Sequence, residues 1–441
     1  MPQFLRHFVG REDELSQLHD LSGVAGPSVG LLFGRSGVGK THLSERAWPE
    51  PRRIYHLAAE TTAEMNRQEL SRRLSAEPEI DGEAGGDERG ARWSDIARLA
   101  ETISKRRQNS DGDPLVLVVD EAQYLFSNRT DAGAERMLRA WRREVDSDAT
   151  LLLVGSGISA AKVLGVDPAE LDADLDWSAR LDAFDYLDAA RFVPERPPGQ
   201  KAYIYAIFGG LARFLSGIET GSSLGGSVVE NVLSPDGLVF TQLRDLFARL
   251  PDIRDPGPYR AVLAAVADGA RQTKDVARGA GLADSPTVAR RALETLEELD
   301  LLVRRRNFGA GGRAPWKSRI ADPALRFWSR YAHRHRSRLA LGEAEEVWRD
   351  EITPQLDAYM EVGFEQMVEQ GFRRFHDRWG LPAPDRWTRW VGRDRNRRRV
   401  EVDLVARLAD DRMLTGQIRW APDPVDQEVH FASPRVHGQV E

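Results

Sequence analysis

Cysteine is absent from the 441 residues, which excludes disulfides and thiolate metal sites and suits a reducing compartment. No run of about 18 uninterrupted apolar residues occurs, so no membrane-spanning helix and no membrane partner are expected. The opening stretch MPQFLRHFVGRED lacks the basic-then-apolar layout of a secretory signal, and a cytoplasmic location is the expectation. What is present is 41% hydrophobic and 30% charged, the balance of a globular protein rather than a disordered one. The length exceeds one ordinary core, so two to three domains are expected.

Charge is unevenly spread. The net charge is -7, yet residues 301–340 carry eleven Lys+Arg against one acidic residue, Asp322, and residues 371–400 carry ten Arg against three Asp. Such blocks fit a polyanion partner or a solvated basic face equally well.

Along residues 1–155, short apolar runs alternate with helical patterns. Ser28–Gly34, Arg53–Ala58, Leu115–Val119 and Leu151–Val154 read as strands; Gly39–Ala47, Glu64–Leu74 and Trp93–Arg107 read as helices. That alternation predicts an α/β fold with a parallel sheet covered by helices on both faces. Further on, Tyr259–Ala267, Thr273–Arg278 and Ser285–Leu299 read as three helices. They precede strands at Leu301–Arg305 and Trp316–Ile320 around a Gly-rich tip, the layout of a winged helix-turn-helix. Helices follow at Pro323–Leu339, Glu343–Ile352 and Pro354–Phe372, then strands at Arg398–Ala406 and Met413–Trp420. The expected domains are 1–190, 191–256, 257–321 and 322–441.

Between the first strand and the first of these helices stands Gly34-Arg35-Ser36-Gly37-Val38-Gly39-Lys40-Thr41, a complete G-x-x-x-x-G-K-[ST]. Glycines let the backbone wrap phosphate oxygens with successive N–H groups, and the helix N-terminus adds partial positive charge. Lys40 would reach the β- and γ-phosphates, and the Thr41 hydroxyl would ligate Mg²⁺. LVLVVDEAQYL ends a buried strand at Asp120, suited to hold Mg²⁺ through water, while Glu121 is suited to polarise an attacking water. The lysines stand at 40, 105, 162, 201, 274 and 317, none in the N-K-x-D pattern that reads guanine, so ATP is the expected nucleotide.

Phe8-Val9-Gly10-Arg11-Glu12-Asp13-Glu14 supplies an hhGRxxE segment upstream of the cradle. With it the chain resembles STAND-type ATPases within the AAA+ superfamily, and more narrowly the archaeal-type ATPase family with its GR-x-GVGKT, DEAQYL and strand-end G-S elements. The resemblance implies that Gly10 and Arg11 lie beside the adenine and that Ser156, closing LLLVGS, senses the γ-phosphate. Tyr205–Leu215 resembles the family's Y-x-x-x-G-G-x-P-R-x-L, implying a helical lid whose Arg213 senses phosphate; Ala212 replaces the usual proline. Asp322–Trp328 (DPALRFW) and Gly363-Phe364-Glu365 resemble the family's approach to a C-terminal domain of restriction-endonuclease-like fold.

In that fold an acidic residue on one strand and E-x-K on the next hold a divalent metal. Here Asp403 matches the first element, with Glu365 beside it in expectation, but Gln417 and Arg419 stand where relatives carry Glu and Lys. Gln417 is a weak metal ligand and Arg419 cannot serve as a base. The reading is a degenerate, non-cutting nuclease-like domain on a nucleotide-driven switch. An active DNA-processing nuclease and a DNA-binding regulator or protein adaptor that only binds ATP stay open. Duplex DNA through the winged helix and the arginine-rich C-terminal region, a protein partner, and self-association are the partners under consideration.

Overall fold

The structure is a computed structural model that describes residues 8–80, 92–110, 112–126, 133–156, 175–249, 253, 255–309, 316–393 and 397–421. It divides into two compact units, Met1–Ala183 and Phe184–Glu441.

In the first unit the apolar runs assemble as strands β1 (Pro27–Gly34), β2 (Arg53–Leu57), β3 (Leu115–Asp120), β4 (Ala149–Ser156) and β5 (Trp177–Arg180). They form one five-stranded sheet in the order β2-β3-β4-β1-β5, with every pair parallel. All six residues of β3 are buried, as a strand covered on both faces requires. One face carries Leu31, Phe33, Ile54, Leu117, Val119 and Leu153 against Leu70 and Leu74 of α3 (Ala63–Ser75), Ile96 and Ile103 of α4 (Trp93–Asn109), and Met137 and Trp141 of α5 (Gly133–Glu144). On the other side Leu18 and Leu21 of α1 (Glu12–Ser22) and Leu43 of α2 (Lys40–Ala47) are buried. The parallel sheet with helices on both faces is the fold expected from the alternating pattern.

Register sets where the chemistry sits. Gly34 pairs with Ser156, and Val119 pairs with Leu153, so β1, β3 and β4 all deliver their C-terminal ends to the same edge. Ligands of open parallel sheets bind at that edge.

In the second unit, helices Gly257–Ala267, Thr273–Gly279 and Pro286–Glu298 lead into an antiparallel pair, β6 (Leu302–Arg305) and β7 (Lys317–Ile320). Of the Gly-rich tip expected over 307–314, residues 310–314 lie outside the described residues. The single helix expected over Pro323–Leu339 is broken: an α-turn at Pro323–Phe327, capped by Asp322 on the Leu325 N–H, widens to a π-turn at Trp328–Ala332 and restarts at Arg336–Ala340. The wide turn seats both Phe327 and Tyr331 on Tyr359, with ring centroids 5.4 and 5.7 Å away.

The described residues end with a three-stranded antiparallel sheet of β8 (Pro384–Arg393), β9 (Arg399–Leu408) and β10 (Met413–Gly416), in the order β10-β9-β8, beside the helix Leu356–Phe375. The strand expected over Met413–Trp420 stops at Gly416. The Ile418 N–H that would continue it donates to the Asp403 carboxylate at 3.2 Å instead. Gln417 and Arg419 therefore lie beyond the strand.

Candidate functional site

The cradle begins where β1 ends. Gly34 has φ +155°, and a Cβ there would stand 2.3 Å from the Leu181 carbonyl oxygen, so only glycine fits. Gly37 and Gly39 adopt φ +85° and +105°, turning the loop so that α2 starts at Lys40. Ser36 is exposed, Val38 buried, and Arg35 half-buried. Lys40 is only 5% exposed and donates to the loop's own carbonyls, Gly34 O at 3.0 Å and Arg35 O at 3.2 Å. Burial lowers its pKa, opposed by the charges of Glu121 and Asp120.

Asp120, 3% exposed, accepts three bonds. Thr41 Oγ1 donates to its Oδ2 at 2.6 Å, the Tyr55 hydroxyl to the same oxygen at 2.8 Å, and the Glu121 N–H to Oδ1 at 2.8 Å. Burial and the Asp120 carboxylate push the Tyr55 phenol well up, so it stays a donor. Glu121 sits in the left-handed region at φ +52°, ψ +41°, which turns the chain sharply after β3. Both its carboxylate oxygens are held, Oε1 by Ser156 Oγ at 2.7 Å and Oε2 by Gln123 Nε2 at 2.5 Å. Asn66 of α3 bonds the backbone of Ala59 and the Tyr124 carbonyl, tying the turn after β2 to the turn after β3.

Upstream, Phe8 packs on α2, 5.8 Å from the His42 ring with the Arg46 guanidinium over it. Gly10 is buried at φ +66°, and Arg11, also left-handed, bonds Glu14 at 3.0 Å and the Asp182 carbonyl.

Residues 24–164 match the family described as AAA domain. The matched stretch carries the cradle, Asp120, Glu121 and Ser156. Residues 328–429 match a second family, described as archaeal and bacterial proteins of unknown function. A comparison with curated proteins finds no match. Among solved structures, a Walker-type ATPase of Pyrococcus abyssi aligns with TM-score 0.53 at 17% identity, over 74% of this chain and 99% of that one. The ORC2 protein of Aeropyrum pernix, in its ADPNP–ADP complexes, aligns with TM-score 0.45 at 15% identity, over 82% of this chain and 97% of that one. A STAND protein with a tetratricopeptide repeat sensor from Pyrococcus horikoshii aligns with TM-score 0.32 at 13% identity, over 85% of this chain and half of that one. The likeness to the Pyrococcus abyssi protein shows the fold: a P-loop ATPase fold, with a separate antiparallel sheet in the C-terminal part.

In the second unit, Arg213 lies exposed on the short helix Ala212–Leu215. Glu365 and Asp403 do meet, but through a residue that belongs to none of the sequence motifs. Arg389 of β8 donates to Asp403 Oδ1 at 3.1 Å, to Glu401 Oε1 at 2.6 Å and to Glu365. Arg419 Nη1 lies 3.3 Å from Asp403 Oδ2, and the Gln417 amide donates to the Glu401 carbonyl at 2.9 Å. Among the described residues no helix is long and apolar enough to cross a membrane.

Sequence reasoning also missed Tyr55 and Asn66. Tyr55 sits in RIYHL, where period-two alternation makes every second residue read as core, and only its register against β3 shows the hydroxyl reaching Asp120.

Proposed function

We propose that the chain is a cytoplasmic STAND-like ATPase that binds ATP with Mg²⁺, hydrolyses it slowly and uses the nucleotide state as a conformational switch. The observation carrying this reading is the convergence of Lys40, Thr41, Asp120 and Glu121 at one sheet edge, with Thr41 Oγ1 2.6 Å from Asp120 Oδ2. This donor set offers only hydroxyl and carboxylate oxygens, which suits magnesium. Thr41 and Asp120 would hold the ion, which when bound neutralises phosphate charge.

The rest falls to the chain's own groups. Left-handed glycines expose N–H groups toward the phosphates, and Lys40 exchanges the carbonyls of Gly34 and Arg35 for phosphate oxygens. Gly10 and Arg11 border the base. Glu121 orients the attacking water, but Ser156 and Gln123 must first release its oxygens. That prior release is the reason for slow turnover. Ser156, drawn to a γ-phosphate, would couple the freeing of Glu121 to the presence of triphosphate. Loss of γ-phosphate contacts on hydrolysis then biases a two-state arrangement. The three helices with β6 and β7 read as a winged helix-turn-helix, and together with the arginine-rich C-terminal part they offer a surface to duplex DNA or a protein partner.

Lys40→Ala should weaken ATP binding by roughly a hundredfold, the equivalent of about 2.7 kcal/mol; unchanged affinity refutes the site. Turnover by the full chain, measured with and without duplex DNA while a gel follows the DNA, tests the wider reading. Stimulation without cutting supports a DNA-sensing switch, and no effect supports a protein partner. Cutting that Asp403→Ala abolishes supports the nuclease instead.

A further inference from the structure

We infer that Arg389 is a built-in cation standing among Glu365, Glu401 and Asp403 in place of a divalent metal, making this centre a permanent ion-pair junction. Glu401 and Asp403 are two apart on β9 and so share a face, and Glu365 comes to them from the helix Leu356–Phe375. Three carboxylates gathered this closely require a cation between them. The chain provides it: the planar guanidinium of Arg389 addresses one oxygen of each, Glu401 Oε1 at 2.6 Å, Asp403 Oδ1 at 3.1 Å and Glu365 Oε1. Its fork of donors suits three acceptors in a way that a lysine ammonium does not.

The remaining capacity of Asp403 is also spent. Its Oδ2 accepts from the Ile418 N–H at 3.2 Å and lies 3.3 Å from Arg419 Nη1. Gln417 turns its amide to a backbone carbonyl. The donor set therefore does not fit the metal that the nuclease-like resemblance implies: one oxygen of each carboxylate faces the Arg389 guanidinium, and the second oxygen of Asp403 is taken as well. Among the described residues no group of three or more Asp, Glu or His is arranged to hold a metal ion. Arg389 also joins more than the carboxylates, because its carbonyl accepts the Phe308 N–H at 3.0 Å and so ties the chain after β6 to β8.

The test uses the full chain without nucleotide and follows free Mn²⁺ by electron paramagnetic resonance. Wild type should take up no Mn²⁺ that Asp403→Asn removes. Arg389→Met should gain one ion per chain, lost again when Asp403→Asn is added, and Mn²⁺ should raise the melting temperature of Arg389→Met but not of wild type. Asp403-dependent uptake by wild type, or a folded Arg389→Met that takes up none, overturns the inference. If Arg389→Met does not fold, the comparison of wild type with Asp403→Asn decides alone: absence of Asp403-dependent uptake upholds the inference and its presence sinks it.

Discussion

Removing one hydroxyl from the first unit, by Tyr55→Phe, separates what holds Asp120 in the free protein from what holds it when nucleotide is bound. Asp120 is buried and takes donors from Thr41, Tyr55 and the Glu121 N–H, the first two on the same oxygen. A hydrogen bond to a charged group contributes about 1.5–3 kcal/mol, and phenylalanine keeps the ring and its packing under Arg53. In the free protein Thr41 still serves Oδ2, so the loss should lie at the lower end, about 1.5 kcal/mol, or about 3–6 °C in melting temperature for a unit of this size. Once Thr41 is recruited to the nucleotide's magnesium, Tyr55 is the hydroxyl left on that oxygen, and the loss moves toward about 3 kcal/mol. The difference, about 1.5 kcal/mol, should appear as a roughly tenfold weaker affinity for ATP with Mg²⁺. Affinity in EDTA should hardly change, since the Tyr55 hydroxyl donates to Asp120 while Lys40 is held by the carbonyls of Gly34 and Arg35. A fluorescent ATP analogue titrated under both conditions reads this directly. Equal weakening with and without Mg²⁺, or none in either, would falsify the assignment of Tyr55 as a positioning residue.

Two further outcomes follow from the same geometry. Gly34→Ala places a Cβ 2.3 Å from the Leu181 carbonyl in a left-handed conformation, which should destabilise the first unit by about 2–5 kcal/mol and abolish nucleotide binding, checked by urea melts and titration. Glu369, buried in the second unit, would have its carboxyl pushed up by burial, but Arg305 at 2.8 and 2.9 Å, with Arg319 and Arg373, outweighs this and holds it below the usual value. A carboxylate depressed in the folded state stabilises above its unfolded pKa of about 4.3 and loses that contribution as pH falls through the folded value. Glu369→Gln should therefore lower the melting temperature at pH 7 and flatten its decline below about pH 4; an unchanged acid profile refutes the pair's role.

The parts legible in the sequence are those where backbone geometry or double-sided burial restricts residue choice. LVLVVD admits little but a buried strand, and Gly34, Gly37 and Gly39 mark φ values that other residues resist. Lys40, Thr41, Asp120 and Glu121 follow from that frame because strand ends fix where side chains emerge. What escaped is what depends on tertiary pairing. β8 has Asp385, Arg386, Arg389 and Arg393 breaking its apolar pattern, so nothing local announces a strand, and Arg389 gains meaning only from carboxylates on β9 and the helix Leu356–Phe375. The break after Phe327 was equally hidden, since helical periodicity runs through the π-turn and only the distant Tyr359 rewards the wider spacing.

The same tertiary pairing constrains how the β6–β7 element can meet a partner. β6 does not end in free loop: Asn307 exchanges two hydrogen bonds with the Val391 backbone at 2.9 and 2.8 Å, Thr388 donates to the Arg306 carbonyl at 2.7 Å, and Phe308 pairs with Arg389. Arg305 adds its bonds to Glu369 and to the Trp387 carbonyl. The start of the hairpin is thus held on β8, and a partner must be met by what remains outward. There Trp316, 39% exposed, lies under the guanidiniums of Arg304 and Arg306 at 5.6 and 4.3 Å. Arg304 is itself committed to Glu297 at 2.6 Å, which reduces the charge this patch can offer. A hairpin fixed on one side and only partly charged on the other has few groups left to contact a phosphate backbone. If β6 and β7 meet DNA, they do so joined to β8, with Arg389 at the junction.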